Sequence, residues 1–339
     1  MPVGGAGGSL GPLLHAQDET LAALGWDEAR AEDWTARAGG GLDPYRVVAV
    51  HRGRVVLHDG RAVPVGGAIE RRFGAVAVGD WVAASPDGVI AEVLERRTLI
   101  RRGDDDVLAA NVDLALIFTS ANRDLNLRRA ERLLALALDS GARAHVVLSK
   151  VDLVEDPEAS AADLADRLKT PVLALSTLSG YGTDALNALL EPRLTVALLG
   201  SSGVGKSTLT NRLLGEERQR TLTIRESDDR GRHATVHREL FTTPTGALLV
   251  DTPGLRLPAL AGDGGLAETF ADVEELELAC RFSNCGHTAE PGCAVRAAIE
   301  AGELDPSRLA ARNRLIEEAE KAGERRTQRA AKQVRRKRE

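Results

Sequence analysis

The sequence predicts a multidomain protein with an N-terminal five-stranded β-barrel, a central α/β domain and a C-terminal α-helical metal-binding domain. Three observations lead to this fold class. Short β-rich runs crowd residues 45–97, long apolar runs alternate with helical patterns between 112 and 251, and all three cysteines fall between 280 and 293. A length of 339 residues exceeds what one hydrophobic core usually spans, so two or three domains are expected.

Composition is typical of a soluble globular protein, with 43% apolar and 28% charged residues. A net charge of −6 excludes a chain that is basic throughout, so a nucleic-acid contact would have to use local patches. The start lacks a basic head before an apolar core, and nowhere do eighteen apolar residues run together. We therefore expect a cytoplasmic protein with no membrane partner, and nothing in the sequence indicates more than a monomer.

The first forty residues are rich in Gly and Ala, with one short helical pattern around Thr20 to Arg37. We expect a loosely attached extension. Domain boundaries are placed after residues 40, 102 and 270, which gives the extension, the barrel (41–102), the α/β domain (103–270) and the metal-binding domain with a basic tail (271–339).

The barrel is predicted from five β-rich runs that turn signals separate: RVVAV, RVVLH, RAVPV, DWVAA and VIAEVL. Five strands in fewer than sixty residues favour an oligonucleotide-binding (OB) fold, which presents loops to nucleic acid. Between 45 and 102 there are ten arginines and six acidic residues. This excess fits RNA binding, and it fits an ordinary solvated barrel surface equally well.

The central domain begins with VDLALIFT (112–119), a nearly continuous apolar run that predicts a strand buried on both faces of a parallel sheet. Asn126 is predicted to cap a helix that Gly141 ends. Further strands are predicted at AHVVLS, PVLALS (171–176), LTVALLG (194–200) and GALLVD (246–251). Alternating strands and helices indicate a doubly wound sheet, whose ligands bind where strand ends meet loops.

A phosphate-binding loop follows the strand at 194–200. Its sequence matches GxxxxGK[ST], with an apolar strand before it and a helical pattern after it. Glycines let successive backbone N–H groups face one anion, and the helix start adds its positive dipole end. Lys206 is expected to reach the β- and γ-phosphates and Ser207 to ligate Mg²⁺. The predicted phosphate contacts are Gly200, Ser201, Ser202, Gly203, Val204, Gly205, Lys206, Ser207 and Thr208.

About fifty residues downstream, a strand ends in Asp251-Thr252-Pro253-Gly254. This spacing is typical of the second switch of a GTPase. Asp251 would lie near Mg²⁺ and the Gly254 N–H near the γ-phosphate.

A base-reading segment lies before the phosphate loop. Ser149, Lys150 and Asp152 match the [N/T/S]KxD pattern, whose Asp accepts two hydrogen bonds that guanine can donate and adenine cannot. The wrong base would leave a buried carboxylate without partners, which is the source of the discrimination. Ser149 stands where Asn is more usual, so contacts to the base and the phosphate loop are expected to be weakened or lost. Ser176 and Thr177 follow the next strand, where GTPases place a backbone N–H near guanine O6.

The motifs therefore occur in rotated order: base, then phosphate, then second switch. They predict a circularly permuted Ras-like domain, because permutation preserves a fold when the old termini lie close together. The second switch then ends the domain, and its movement would act directly on the C-terminal domain.

The C-terminal domain contains a C-x4-C-x-H-x5-C cluster. Three thiolates and one imidazole form a closed tetrahedral ligand set for structural zinc, with no open position for a reactive water. Three unrelated buried thiols are the alternative. The predicted ligands of one zinc ion are Cys280, Cys285, His287 and Cys293.

The tail from Lys321 to Glu339 carries nine Lys or Arg and two Glu. Such a segment neutralises phosphates and makes binding salt-dependent. It favours an RNA partner, although solubility alone is a competing explanation.

The rotated order, the preceding barrel and the following cysteine cluster resemble the ribosome small-subunit-dependent GTPase A family over residues 41–310. The resemblance implies a factor that binds the small subunit and its rRNA late in maturation and hydrolyses GTP faster on the subunit. The segment 231–236 (GRHATV) is similar to the family's first switch, which implies that Thr235 completes Mg²⁺ coordination with Ser207 and Asp251. Leu255 replaces the Gln that positions water in Ras-like proteins, and the resemblance suggests His233 for that role, with an exposed loop histidine as the alternative.

Two other function classes remain open at this point. A P-loop ATPase or kinase would share the phosphate loop without a reason for Asp152. An RNA-binding protein without turnover would keep the barrel, the zinc cluster and the tail.

Overall fold

The computed structural model describes residues 19–37, 41–51, 53–102, 106–122, 125–201, 203–214, 238–251, 264–282 and 285–336. In the described N-terminal part, a helical segment at 19–23 is followed by helices α1 (Glu28–Arg37) and α2 (Gly67–Phe73). Its five strands are β1 (Asp43–His51), β2 (Arg54–Leu57), β3 (Ala62–Pro64), β4 (Trp81–Ala84) and β5 (Ile90–Val93).

The five predicted N-terminal strands all form, and they pair antiparallel in the order β3-β2-β1-β4-β5. Their inward side chains make one core, to which Val47, Leu57 and Val82 contribute with no exposed surface. Within the described residues no ladder joins β3 to β5, so the sheet is open there. The closed OB barrel predicted from the sequence is therefore not confirmed.

A two-stranded hairpin links this sheet to the central domain. It consists of β6 (Leu99–Arg102) and β7 (Asp106–Ala110), and it spans the position where the sequence suggested a domain boundary.

The central domain contains a parallel sheet in the order β10-β9-β8-β11-β13, with β12 antiparallel at its end. All seven residues of β8 are buried, as the apolar run predicts for a strand covered on both faces. The strands are β8 (Leu114–Ser120), β9 (Arg143–Ser149), β10 (Val172–Leu175), β11 (Thr195–Gly200), β12 (Arg238–Thr242) and β13 (Leu248–Asp251). In the part of this domain that the structure describes, the helices before β12 are α3 (Leu127–Asp139), α4 (Pro157–Leu168), α5 (Thr183–Leu189) and α6 (Lys206–Leu214).

Helix α3 begins and ends as its sequence predicts. The Asn126 side chain accepts a hydrogen bond from the Arg129 N–H at 3.0 Å, which satisfies one free donor of the first turn. Beyond its last residue, Gly141 has φ +84°, a conformation that favours glycine.

Strand β1 also pairs with β12, which the sequence did not indicate. Ala49 lies opposite Glu239 and Val50 opposite Arg238. The N-terminal and central sheets are thereby one continuous sheet of eleven strands.

The expectation of a loosely attached extension is wrong for residues 19–37. Leu21 is buried, and the Trp26 ring packs edge-on against buried Trp81 with centroids 4.8 Å apart. Arg30 is also buried and donates a hydrogen bond to the Asn111 side chain at 3.0 Å. Aromatic burial and this hydrogen bond hold the segment against both the N-terminal and the central domain.

After β13 the described residues form four helices: α7 (Gly264–Thr269), α8 (Ala271–Leu278), α9 (Ala294–Ala301) and α10 (Pro306–Arg336). Buried Arg308 of α10 pairs with Asp272 at 2.6 Å and with Glu131 of α3 at 3.5 Å. The long helix is therefore anchored to the central domain through charge. None of the described helices is long and apolar enough to cross a membrane.

Candidate functional site

The predicted site residues lie where parallel strands end. Ser149 is the last residue of β9 and is in register with Ser120 of β8 and Leu175 of β10. Gly200 ends β11 opposite Phe118. Since the carboxyl ends of parallel strands meet at one edge, the base-reading and phosphate segments leave the sheet side by side.

The phosphate loop turns sharply between β11 and α6. Gly205 has φ +102°, which favours glycine, and a Cβ on Gly200 would lie 2.9 Å from the Phe118 carbonyl oxygen. Lys206 is buried, and its ammonium donates to the carbonyl oxygens of Gly200 at 2.8 Å and Ser201 at 2.7 Å. These bonds place the ammonium inside the curve of the loop, while Ser207 is exposed at its rim.

The base-reading segment forms a tight turn after β9. Lys150 has a left-handed backbone, φ +59°, and a 3₁₀ turn over Val151–Leu153 follows. Asp152 is exposed, and its carboxylate accepts a hydrogen bond from the Ser176 hydroxyl. The same hydroxyl accepts from the Ser179 N–H at 3.1 Å. Because the carboxylate is exposed, the discrimination expected of a buried one requires that the bound base itself cover Asp152.

Ser149 does contact the phosphate loop, so the expectation that this contact is weakened or lost needs correction. Its buried hydroxyl lies 2.7 Å from the Val204 carbonyl oxygen and 3.0 Å from that of Thr119. One hydroxyl proton serves both acceptors. The contact arises because the turn after Gly203 brings a backbone carbonyl within reach of a short side chain.

Residues of both segments line one cavity of about 370 Å³, although Asp152 and Ser176 are not among them. This volume is within the size range of small-molecule sites. At the base end the cavity is lined by Ser149, Lys150 and Thr177. Phe118 also contributes to the lining. At the phosphate end the cavity is lined by Gly203, Val204, Gly205, Lys206, Ser207 and Thr208. Two segments some fifty residues apart in the chain thus face a common space.

Several predicted residues cannot be placed. Ser202, His233, Thr235 and Gly254 lie outside the described residues. Asp251 is described only through its backbone, at the end of β13, which runs parallel to β11 with Val250 opposite Ala197. Its position in the sheet puts it at the same edge as the phosphate loop.

The predicted metal ligands do come together. One ligand atom from each of Cys280, Cys285, His287 and Cys293 lies within 4.8 Å of all the others. The Sγ atoms of Cys280 and Cys293 are 3.9 Å apart, and His287 Nδ1 lies 3.5 Å and 3.8 Å from Cys293 and Cys280. A tetrahedral zinc ion about 2.3 Å from sulfur and about 2.0 Å from nitrogen requires separations of about 3.8 Å and 3.5 Å. The four donor types therefore fit zinc, and the distances among Cys280, Cys293 and His287 are close to those that a tetrahedral ion requires.

Two carboxylates that the sequence analysis missed support this cluster. Glu277 accepts a hydrogen bond from His287 Nε2 at 2.7 Å, which leaves Nδ1 facing the thiols, the usual arrangement for a metal-binding imidazole. Glu290 accepts from the N–H groups of Gly286 at 3.0 Å and Thr288 at 2.9 Å. Backbone donors, first its own N–H and then that of Gly286, lower the pKa of Glu290 to about 2. A glutamate three residues before a ligand on a helix is the signal that could have indicated Glu277.

Known proteins are similar to this chain over most of its length. The family model described as RsgA GTPase matches residues 93–261. The small ribosomal subunit biogenesis GTPase RsgA of Opitutus terrae is 45% identical over 328 residues, which cover 88% of this chain and 89% of that protein. The protein of the same name from Streptomyces coelicolor is 42% identical over 323 residues, with 90% and 88% covered.

Solved structures with a similar fold superpose on most of this chain. YloQ, described as a circularly permuted GTPase, superposes with a TM-score of 0.58 at 26% identity, over 84% of this chain and 97% of that one. YjeQ from Thermotoga maritima superposes with a TM-score of 0.60 at 24% identity, over 82% and 98% of the two chains. The similarity therefore extends beyond the central domain.

Proposed function

The chain belongs to the RsgA GTPase family, as its motif order suggested, and on that premise we propose that it hydrolyses GTP in late maturation of the small ribosomal subunit. Relatives at 42% and 45% identity are named for biogenesis of that subunit. The subunit and its rRNA are then the partners, and contact with them stimulates hydrolysis.

One observation carries the proposal: residues of the base-reading and phosphate segments line a common cavity. A P-loop ATPase or kinase gives no reason for Ser149 and Lys150 to lie beside the phosphate loop. In the proposed complex the guanine lies against Lys150 and is read by Asp152, while Thr177 presents its N–H to O6. The phosphates lie in the loop from Gly200 to Thr208.

Lys206 neutralises charge on the β- and γ-phosphates as it grows during transfer. The Ser207 hydroxyl and Asp251 would hold Mg²⁺, with Thr235 completing the set; hard oxygen donors of this kind suit that ion. Mg²⁺ supplies charge neutralisation between the phosphates. Support for this set comes from exposed Ser207 at the loop rim and from Asp251 at the adjacent strand end.

The attacking water needs a residue to orient it in line with the γ-phosphate. Leu255 cannot do so, since it has no polar atom in its side chain. His233, in the segment that resembles a first switch, takes that role in our proposal, and rRNA completes the arrangement on the subunit.

The remaining domains bind RNA in this proposal. The N-terminal sheet is locally basic, and helix α10 carries a basic C-terminal half. A structural zinc ion held by Cys280, Cys285, His287 and Cys293 fixes the segment from which α9 and α10 emerge.

The test is GTP hydrolysis by the purified chain with and without purified small subunits. We expect turnover with GTP that the subunits increase and that ATP does not replace. His233→Ala should lose most of the stimulated rate while still binding GTP, and Ser207→Ala should be inactive. Stimulated turnover of His233→Ala equal to that of the parent would remove His233 from the mechanism, and absence of any GTP turnover would refute the proposed activity.

A further inference from the structure

The loop after β10 receives a hydrogen bond from the helix that follows the phosphate loop. Arg212 lies on α6, and its Nη1 donates to the Thr177 carbonyl oxygen at 2.6 Å. The two residues are 35 positions apart, one in the base-reading half of the site and one in the phosphate half. Nothing in the sequence indicates this bond, because Arg212 lies beyond the phosphate motif on an ordinary helical pattern.

The rest of this loop is held by its own residues. The Gly180 N–H donates to the Ser176 carbonyl at 2.9 Å, and the Ser176 N–H donates to the Tyr181 carbonyl at 3.0 Å. Thr177 and Leu178 form the outer part of the loop, and Leu178 is 84% exposed. An exposed loop tip keeps one conformation only if a hydrogen bond or packing holds it.

Gly180 allows the guanidinium to approach. A Cβ at this position would lie 3.2 Å from Arg212 Nη2, and its backbone has φ +86°, so glycine suits both the space and the conformation. The guanidinium therefore lies along the loop, bonded to the Thr177 carbonyl and beside the backbone of Gly180.

We propose that Arg212 is a positioning residue for guanine recognition. By holding the Thr177 carbonyl, it fixes the residue whose backbone N–H faces the guanine O6. This inference rests on the proposed function and deepens it, since it assigns part of the base specificity to the phosphate half of the chain. Arg212 touches the protein backbone and acts through Thr177.

The experiment separates an effect through O6 from a general loss of binding. Dissociation constants are measured for full-length parent, Arg212→Ala and Arg212→Lys with three nucleotides: GTP, inosine triphosphate, which keeps O6 but lacks the 2-amino group, and 2-aminopurine riboside triphosphate, which lacks O6. The matched control is Arg167→Ala, an exposed helical arginine that pairs with Asp163. Thermal unfolding midpoints are recorded for every variant.

For Arg212→Ala we expect binding of GTP and of inosine triphosphate to weaken by about three- to tenfold, the effect of one lost hydrogen bond. Binding of 2-aminopurine riboside triphosphate should stay as in the parent. The kcat at saturating GTP and the unfolding midpoint should not change, and Arg212→Lys should recover most of the affinity because an ammonium can donate to the same carbonyl. Arg167→Ala should match the parent with all three nucleotides.

Equal weakening for all three nucleotides would overturn the inference, because the loss would then not pass through O6. Unchanged binding of GTP by Arg212→Ala would overturn it as well. A parent chain that binds ATP as tightly as GTP would overturn the proposed function itself, and this outcome is read from the parent alone.

Discussion

Ser149 shows how a single short side chain joins two halves of a site. Its hydroxyl lies between the carbonyl oxygens of Thr119, at the end of β8, and Val204, in the phosphate loop. The Ser149 side chain is buried, so a carbonyl oxygen that loses this hydroxyl loses a hydrogen-bond donor where desolvation is costly.

We expect Ser149→Ala to destabilise the protein by about 1–3 kcal/mol, which is the cost of leaving a buried acceptor unpaired. We also expect weaker binding of both GTP and GDP, because the phosphate loop loses its hydrogen bond from Ser149 to the Val204 carbonyl. Thermal unfolding with and without GDP measures both effects. Ser160→Ala, which removes a hydroxyl bonded to the Asp156 carbonyl at the surface, is the control. Equal stability of the Ser149→Ala and Ser160→Ala variants would show that the bridge contributes nothing.

Asp152→Asn should shift base preference. An amide in place of the carboxylate cannot accept both guanine hydrogen bonds, but it can donate to the additional oxygen of xanthine. We expect GTP binding to weaken by about 10- to 100-fold, as for a hydrogen bond to a charged group, and xanthosine triphosphate to bind more tightly than GTP. Competition binding measures this, with Asp184→Asn on α5 as an exposed control. A variant that still prefers GTP would argue against Asp152 as the base reader.

Some of the residue-level features can be predicted from the sequence, and others cannot. The turn of the phosphate loop and the approach of Cys280, Cys285, His287 and Cys293 to one another can be predicted, because each follows from local spacing and a required chemistry. The contacts Ser149–Val204 and Arg212–Thr177 cannot, since each depends on how two segments, 55 or 35 residues apart, approach each other in the folded chain. Glu277 was missed because a glutamate on a helix has many possible uses.

At the scale of elements, helix α7 approaches α3 unusually closely. It begins at Gly264, directly after the segment that contains the predicted second switch. A Cβ on Gly265 would lie 2.0 Å from the Ala135 carbonyl oxygen and 2.4 Å from the Asp139 nitrogen. No side chain fits this contact without separating the two helices.

Gly265→Ala should therefore destabilise the protein by about 1–3 kcal/mol or more, the usual effect of forcing a methyl group into a packed contact. Urea unfolding of the full chain measures the change. Gly66→Ala is the matched control, because Gly66 is exposed, has φ −71°, and has no atom within 4 Å of the position that a methyl group would take. If the two variants unfold at the same urea concentration, the close contact between α3 and α7 is incorrect.

Elements were predicted best where they are apolar and long. The buried strands β8, β9 and β11 follow from runs of apolar residues, and α3 follows from its cap and periodicity. Strand β12 was missed because RELFT is short and mixed in polarity, and its partners are distant in the chain. The attachment of residues 19–37 was missed because Gly and Ala dominate that region, while the few large side chains that carry it, such as Trp26, are isolated in the sequence.

At the scale of the whole molecule, charged residues connect the metal cluster to the long helix. Arg312 of α10 donates to Glu274 at 2.6 Å and to Glu277 at 2.7 Å, and Glu277 in turn orients His287. Arg308, one turn earlier, reaches Glu131 of the central domain. Two arginines of one helix, Arg308 and Arg312, thus connect the residues around His287 to the central domain.

Removing the metal should loosen the C-terminal helices and leave the nucleotide site formed. We expect elemental analysis to find one zinc ion per chain. Chelation or Cys280→Ala should increase hydrogen exchange in residues 264–301, while residues 195–213 should keep their protection. The reason is that zinc binding supplies folding free energy only where its ligands lie. GDP affinity should stay near that of the parent. A zinc-free chain with unchanged exchange in 264–301 would contradict a structural role for the metal.

The pairing of β1 with β12 connects the nucleotide domain directly to the N-terminal sheet. In sequence, β12 lies between the two segments expected to respond to the γ-phosphate, and in the sheet it lies between the strand that ends at Asp251 and the first strand of the N-terminal domain. Because the motif order is rotated, the C-terminal end of the nucleotide domain continues directly into the C-terminal domain. Strand β12, which comes earlier in the nucleotide domain, pairs with β1 of the N-terminal sheet. A change in bound nucleotide would therefore act at once on the N-terminal sheet and on the C-terminal helices.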